Sequence, residues 1–522
     1  MNLPAISVKQ QTFVGLLVFV LALLLARQFG EWIIGGDLNQ VAFAFAAATA
    51  AGVGLAVLRN WRSGTYLFLT WLIFEDLIRK YLGNNMALYF AKDALAGLIY
   101  VSLYLAARKR PEKWPKPPFL LAFGIFFWFA VLQVFNPNSP NPLYGLLGLK
   151  VYFLYVPLMF VGYALVSTDQ HLERFLVLFS SLAAAVAALG ITQSIVGTTF
   201  LSPATLAPEI RELGNLEKYT PISHELFNLP PSVFVSAGRY SQFLFLCVVL
   251  GLGSAGYSVL KGGRRRRVLF VSLGIVAVGV LLCGSRGSLV LSLASTGVMS
   301  AAFLWGAPKD KRRLYRRLTA NAIRRSAVIA VMFVATAVLV FPKQTAMRWD
   351  FYSETLSPSS AAYELPQRMW DYPLAQLEAA FSEQHWVMGN GTGTSSLGAG
   401  YVAELLHRPR PGHDVESGYG GLDVEFGILG VVFWLMWTSL LVIGCWRIVR
   451  RLRHTHVFPI GFVVFWYALI LLFPETFGSL NSYQDYAANS FLWLLVGVLY
   501  RLPELAVASP LKLVSTNTLK ER

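Results

Sequence analysis

Residues 239–284 read RYSQFLFLCVVLGLGSAGYSVL (239–260), KGGRRRR (261–267) and VLFVSLGIVAVGVLLCG (268–284). A helix needs roughly 20 apolar residues to cross about 30 Å of hydrocarbon. The two apolar runs meet or nearly meet that length, and five cations, Lys261 and Arg264 to Arg267, separate them. Basic turns of this kind stay on the cytoplasmic side. The stretch therefore predicts a helical membrane hairpin that starts and ends at the outer face.

The same pattern recurs outward in both directions. Apolar segments lie near 12–29, 40–58, 86–106, 118–135, 144–166, 175–196, 287–305, 327–341, 423–446, 458–474 and 487–500. A weaker one covers 64–78, where Glu75 and Asp76 intrude. The basic patches at 59–62 and 108–116 fall on one side only if both segments between them cross or neither does, and the second is long and apolar. Counting both gives about 14 spans with both termini cytoplasmic. The first segment lacks a small-residue cleavage site and reads as a retained helix.

Composition agrees. Of 522 residues, 55% are hydrophobic and 14% charged, against roughly 25% charged in soluble domains. Mean hydropathy is +0.54. A soluble enzyme, a disordered scaffold and a disulfide-stapled secreted domain are excluded. Net charge is +16, but the basic residues sit between apolar runs, which reads as orientation rather than nucleic-acid binding. Cys247, Cys283 and Cys445 lie in apolar segments without metal-ligand spacing.

The expected fold is thus an all-α integral membrane protein, a single polytopic domain over 1–522. Two outer loops, 197–237 and 342–422, are too long to be simple connectors; residues 503–522 form a cytoplasmic tail. The second loop holds Trp349, Trp370 and Trp386, and 374–381 reads as a short helix.

Candidate chemistry gathers at the outer face. Arg239 opens a helix, and Arg286 sits in the hinge Gly284-Ser285-Arg286-Gly287. A guanidinium near the bilayer faces a cavity and an anion, snorkels to headgroups, or pairs with a carboxylate. Two of them suit a diphosphate. Lys92 beside Asp93 reads as an internal ion pair; Lys150 has no assigned partner. Gly389-Asn390-Gly391-Thr392-Gly393 lacks the P-loop lysine and reads as a flexible turn or as backbone amides for an anionic ligand. His454-Thr455-His456 shows no carboxylate at ligand spacing, so no metal or cofactor is expected. His413 and Glu416, in Gly412-His413-Asp414-Val415-Glu416, are two candidate bases; Arg408 and Arg410 upstream add positive field.

Taken with the helix opening Glu425-Phe426-Gly427-Ile428-Leu429-Gly430, the Gly-Ser-Arg-Gly hinge and the Gly-rich 389–393 stretch, the chain resembles the O-antigen ligase/polymerase superfamily over roughly 120–500. Asn136-Pro137-Asn138 and the helix ending at Lys150 resemble its exopolysaccharide-polymerase branch. The resemblance implies a lipid-dependent, GT-C-like glycosyltransferase of the bacterial inner membrane. It would take glycan from undecaprenyl diphosphate at the periplasmic face, with Arg239 and Arg286 as diphosphate ligands and no metal; Arg410, from its place in the loop, is a further diphosphate candidate. Glu416 stands where the ligases carry a His, which favours a polymerase; it ranks ahead of His413 as the base. The polymerase links one lipid-carried unit to a sugar hydroxyl of another, with inversion. Alternatives are a ligase acting on lipid A–core, a transporter or flippase, and a non-catalytic partner in an export complex. A chain-length regulator and membrane lipids are further expected partners.

Overall fold

The computed structural model describes residues 38–82, 86–109, 114–202, 216–261, 266–307, 341–411 and 415–508, with single positions between 313 and 339. The expected spans at 12–29 and 327–341, the candidate base His413 and the tail beyond 508 lie outside the described residues.

The described residues are mostly helical. In order come α1 (Leu38–Arg59), α2 (Trp61–Leu82), α3 (Met86–Lys109), α4 (Leu120–Gln133), α5 (Pro142–Phe153), α6 (Leu158–Leu165) and α7 (Asp169–Val196). A hairpin of β1 (Glu217–Tyr219) and β2 (Leu226–Asn228) precedes α8 (Ala237–Lys261), α9 (Arg266–Leu282) and α10 (Arg286–Gly306). Three shorter helices follow: α11 (Pro342–Leu356), α12 (Tyr372–Phe381) and α13 (Ala399–Leu405). The last are α14 (Gly418–Arg451), α15 (Phe458–Ile470) and α16 (Tyr486–Ala508).

Eight helices among the described residues are long and apolar enough to cross a membrane, which makes this a multi-pass helical membrane protein. The remaining expected crossings within the described residues are less regular. α4 has 14 residues and α9 has 17, and α2 carries buried Glu75, Asp76, Arg79 and Lys80. In α1, Ala47–Arg59 counts only as a shorter apolar helix, and the 144–166 segment, one of the eight, is interrupted by a turn between α5 and α6.

Close helix approach depends on glycine, as expected where small residues rather than hydrophobicity drive packing. A Cβ on Gly162 of α6 would overlap the carbonyl of Leu494 in α16, and one on Gly497 would overlap that of Met159. Beside this seam, Trp434, Trp437 and Trp493 are fully buried with Phe123, Phe126, Tyr152 and Tyr483 in edge-to-face and stacked pairs.

The long loops fold over one end of the bundle. The hairpin is anchored on α11: Glu354 accepts hydrogen bonds from the amides of Ile222 (2.8 Å) and Ser223 (3.2 Å), and Phe227 packs on Phe351. Helix α14 breaks at Gly427, whose φ of 67° and ψ of −176° are outside the helical region. The backbone groups freed by the break are taken up by the 385–391 loop. Ile428 N donates to Trp386 O (2.9 Å), Asn390 N to Val424 O (2.8 Å) and Gly391 N to Glu425 O (2.9 Å). Irregular backbone in a membrane protein persists only where protein satisfies it in this way.

Candidate functional site

Arg239 lies in the first turn of α8, and Arg286 is the first residue of α10, capped by the Ser285 hydroxyl. Ser288 Oγ donates to Ser241 O at 3.0 Å, so the two helix starts adjoin at the loop-bearing end. Each guanidinium is nevertheless engaged by its own carboxylates.

Arg239 meets Asp76 through Nη1 at 3.1 Å and Asp485 through Nε at 3.2 Å, with its side chain 22% exposed. Behind it lies a chain of buried ions. Asp76 also pairs with Arg79 (3.3 Å), Glu75 pairs with Lys92 (2.9 Å), and Asp93 pairs with Lys150 (2.7 Å). The Lys92–Asp93 pairing expected from adjacency is therefore wrong: successive helical residues point about 100° apart, so each reaches a different partner. Tyr89 and Tyr486 rings cover the Lys92 ammonium at 3.6 and 4.6 Å. Lys80 Nζ donates to the Ser232 carbonyl at 3.0 Å. Five cations (Arg79, Lys80, Lys92, Lys150, Arg239) thus share the cluster with four carboxylates (Glu75, Asp76, Asp93, Asp485). Buried charge persists only when paired: four of the five cations have a carboxylate partner, and Lys80 has the Ser232 carbonyl.

Arg286 pairs with Glu364 at 3.0 Å and is 16% exposed. Three cations that sequence reading did not single out stand nearby. Arg368 reaches the same Glu364 oxygen at 3.8 Å. Lys218 of the hairpin lies over the Phe351 ring, on which Arg286 also sits. Burial, then the Arg286 charge, pulls its ammonium below the usual lysine range. Arg348 is buried, donates through Nη2 to Asn228 O (3.1 Å), and has no partner for Nη1; burial depresses it too. Nothing in local spacing flags these residues, because hairpin, hinge and α11 are far apart in sequence.

The Gly-rich stretch has a different role from either reading of its sequence. Its amides bind an anion that is part of the chain: Gly393 N and Ser395 N donate to the two oxygens of Glu425, each at 3.1 Å, and Tyr152 Oη adds a third bond at 3.0 Å. Two positions upstream of Glu425, Asp423 is fully buried, and neither carboxylate oxygen has a hydrogen-bond partner.

Glu416 and Arg410 are exposed at the surface of the same loop region. The Glu416 carboxylate raises the neighbouring Tyr372 phenol. At the opposite end of the bundle, His456 corrects the expectation of no nearby carboxylate, since its Nε2 lies 3.2 Å from Asp169, itself paired with Lys261 at 3.1 Å. That partner is 287 residues away in sequence. Among the described residues no His, Cys, Asp or Glu side chains gather in threes for a metal, and all three cysteines are free and buried.

Comparison with known proteins supplies no relative: no protein-family model matches the chain, and no curated protein sequence matches it.

Proposed function

We propose that this protein polymerises a bacterial surface polysaccharide, transferring glycan from undecaprenyl diphosphate to a sugar hydroxyl of another lipid-linked unit at the periplasmic face of the inner membrane. The observation that carries the reading is the excess of cations where α8 and α10 begin. The helix starts that carry Arg239 and Arg286 touch through Ser241 and Ser288, and Lys218, Arg348 and Arg368 stand near Arg286. A guanidinium fork suits phosphate oxygens.

In the reaction, the acceptor oxygen forms a bond to the anomeric carbon as the bond to the diphosphate breaks. The electron pair leaves on undecaprenyl diphosphate, whose charge Arg239 and Arg286 stabilise; Arg410 adds field from the exposed loop. The hydroxyl proton passes to Glu416, with His413 as the other candidate base. Direct displacement inverts the anomeric centre. Electrostatic stabilisation of a leaving group is worth about 3–4 kcal/mol per well-placed donor.

The test is purified protein with lipid-linked oligosaccharide as the sole substrate, read by polymer length. Lengthening that is lost in Arg286→Ala and Glu416→Gln supports the reading. Strict dependence on lipid A–core makes the protein a ligase. Normal polymer from properly inserted Arg239→Ala, Arg286→Ala, Glu416→Gln and His413→Ala variants overturns the mechanism.

One observation favours a second reading. The buried run Lys150–Asp93, Lys92–Glu75, Arg79–Asp76 and Arg239–Asp485 is of the kind that marks ion or proton pathways in carriers. Flipping of a lipid-linked sugar in liposomes, without a new glycosidic bond, would select the transporter.

A further inference from the structure

Helix α4 is apolar but shorter than a membrane-spanning helix needs to be. Its 14 residues span about 21 Å, against about 30 Å of hydrocarbon. The 385–394 loop covers its C-terminal end. Thr392 Oγ1 donates to Ala130 O (2.7 Å), Thr392 N to Gln133 O (3.3 Å), and the Gln133 amide returns a bond to Met388 O (2.8 Å). Asn136 and Asn138 side chains bind Gly389 O at 3.1 and 3.2 Å. On its other flank the same loop satisfies the break in α14. The loop's backbone is thus bonded on both sides, as required of non-helical chain at membrane depth.

Its side chains face the other way. Trp386, Val387 and Met388 are exposed, at 42%, 45% and 54%. The backbone of the same three residues is bonded to Ile428 and Gln133, next to exposed Leu429 and Val432 on α14 and exposed Leu132 and Phe135 at the end of α4. Phe129 packs edge-on against Phe433, so the two helices present one continuous apolar surface beneath the loop. An aqueous loop tip would carry polar residues; the three residues at this tip are apolar, with exposed Ser382 and Gln384 only before them.

We infer that Trp386-Val387-Met388 is a re-entrant wedge seated in the bilayer, contacting lipid acyl chains near the headgroup boundary. Trp suits that boundary because its ring is amphipathic. The wedge is fixed to the bundle through Glu425, whose carboxylate holds the continuation of the same loop at Gly393 and Ser395.

The three native cysteines are buried, so a single introduced thiol can be labelled selectively. Met388→Cys, and separately Val387→Cys in case one variant does not fold, is labelled with an environment-sensitive fluorophore and reconstituted in phosphatidylglycerol/phosphatidylethanolamine vesicles. Trp349→Cys on α11, 72% exposed, is the reference. The expected result is blue-shifted emission at 387 and 388, quenched by phospholipids spin-labelled high on the acyl chain and shielded from aqueous iodide, with the reverse at 349. Iodide quenching at 387 and 388 would place the tip in water. Shielding from both quenchers would place it against a second copy or another part of the protein. Either result overturns the wedge.

Discussion

Glu425 and Gly393, 32 residues apart, meet where a carboxylate oxygen accepts the glycine amide at 3.1 Å. That bond, with those from Ser395 and Tyr152, joins α14 to the loop that closes over it. A buried carboxylate in such a nest organises the loop as a phosphate organises the amides at a helix start.

Glu425→Ala should therefore destabilise the protein strongly. It strands the buried Gly393 amide and takes a partner from the half-buried Ser395 amide and the Tyr152 phenol, an unsatisfied buried group costing about 1–3 kcal/mol. Thermal unfolding of detergent-solubilised protein should show a lower midpoint for Glu425→Ala than for Tyr152→Phe, which removes a single donor. Equal midpoints for both variants and wild type would refute the nest.

At Gly427 the backbone itself forbids a side chain. With φ at 67° and ψ at −176°, an added Cβ would run into the Val387 carbonyl. Conformations of this kind cost non-glycine residues about 1–3 kcal/mol before any clash. Gly427→Ala should lower the unfolding midpoint and expose the 385–391 loop to protease. Gly274→Ala and Gly297→Ala, in helices with open space around the glycine, should be neutral or mildly stabilising.

The Lys92–Glu75 pair should behave as a unit. Removing one partner leaves a fully buried charge short of its main counter-ion (Glu75 keeps only Arg79, at 4.0 Å), a loss of up to about 3–5 kcal/mol. Lys92→Met and Glu75→Leu should each destabilise to that extent, and the double variant should recover much of the loss. A double-variant cycle with additive losses would show that the two side chains do not share their charge.

Hairpin docking should weaken in acid. Partial burial opposes ionisation of Glu354, but the amides of Ile222 and Ser223 outweigh it and hold the carboxyl below the usual glutamate range. A group depressed in the folded state contributes stability above its unfolded pKa of about 4.3. That contribution is lost as pH falls through the lower folded value. Hydrogen exchange at 222 and 223 should be slow at neutral pH and accelerate as pH falls below 4, after correction for intrinsic rates. Glu354→Gln should remove that dependence.

Several of these features were legible in the sequence. Arg239 and Arg286 stood out as cations at the face away from the basic turns, and Glu75 and Asp76 as acids in an otherwise apolar segment. Their pairing was not legible. Asp76 and Arg239 are 163 residues apart, and only the packing of α2 beside the start of α8 brings them to 3.1 Å. Arg348 and Lys218 went unnoticed for the same reason: each is an ordinary residue of a polar loop until the hairpin docks on α11.

The order of apolar runs and basic turns determined, without coordinates, that this chain is a helical membrane protein with elaborated loops at one end, because the cost of exposing polar backbone to hydrocarbon leaves a chain of this hydropathy few other forms. Which charges neutralise one another, and that the Gly-rich loop holds Glu425 instead of a ligand, was decided by the tertiary structure alone. Those outcomes depend on contacts of a few ångströms between segments far apart in sequence, and no local pattern encodes such distances.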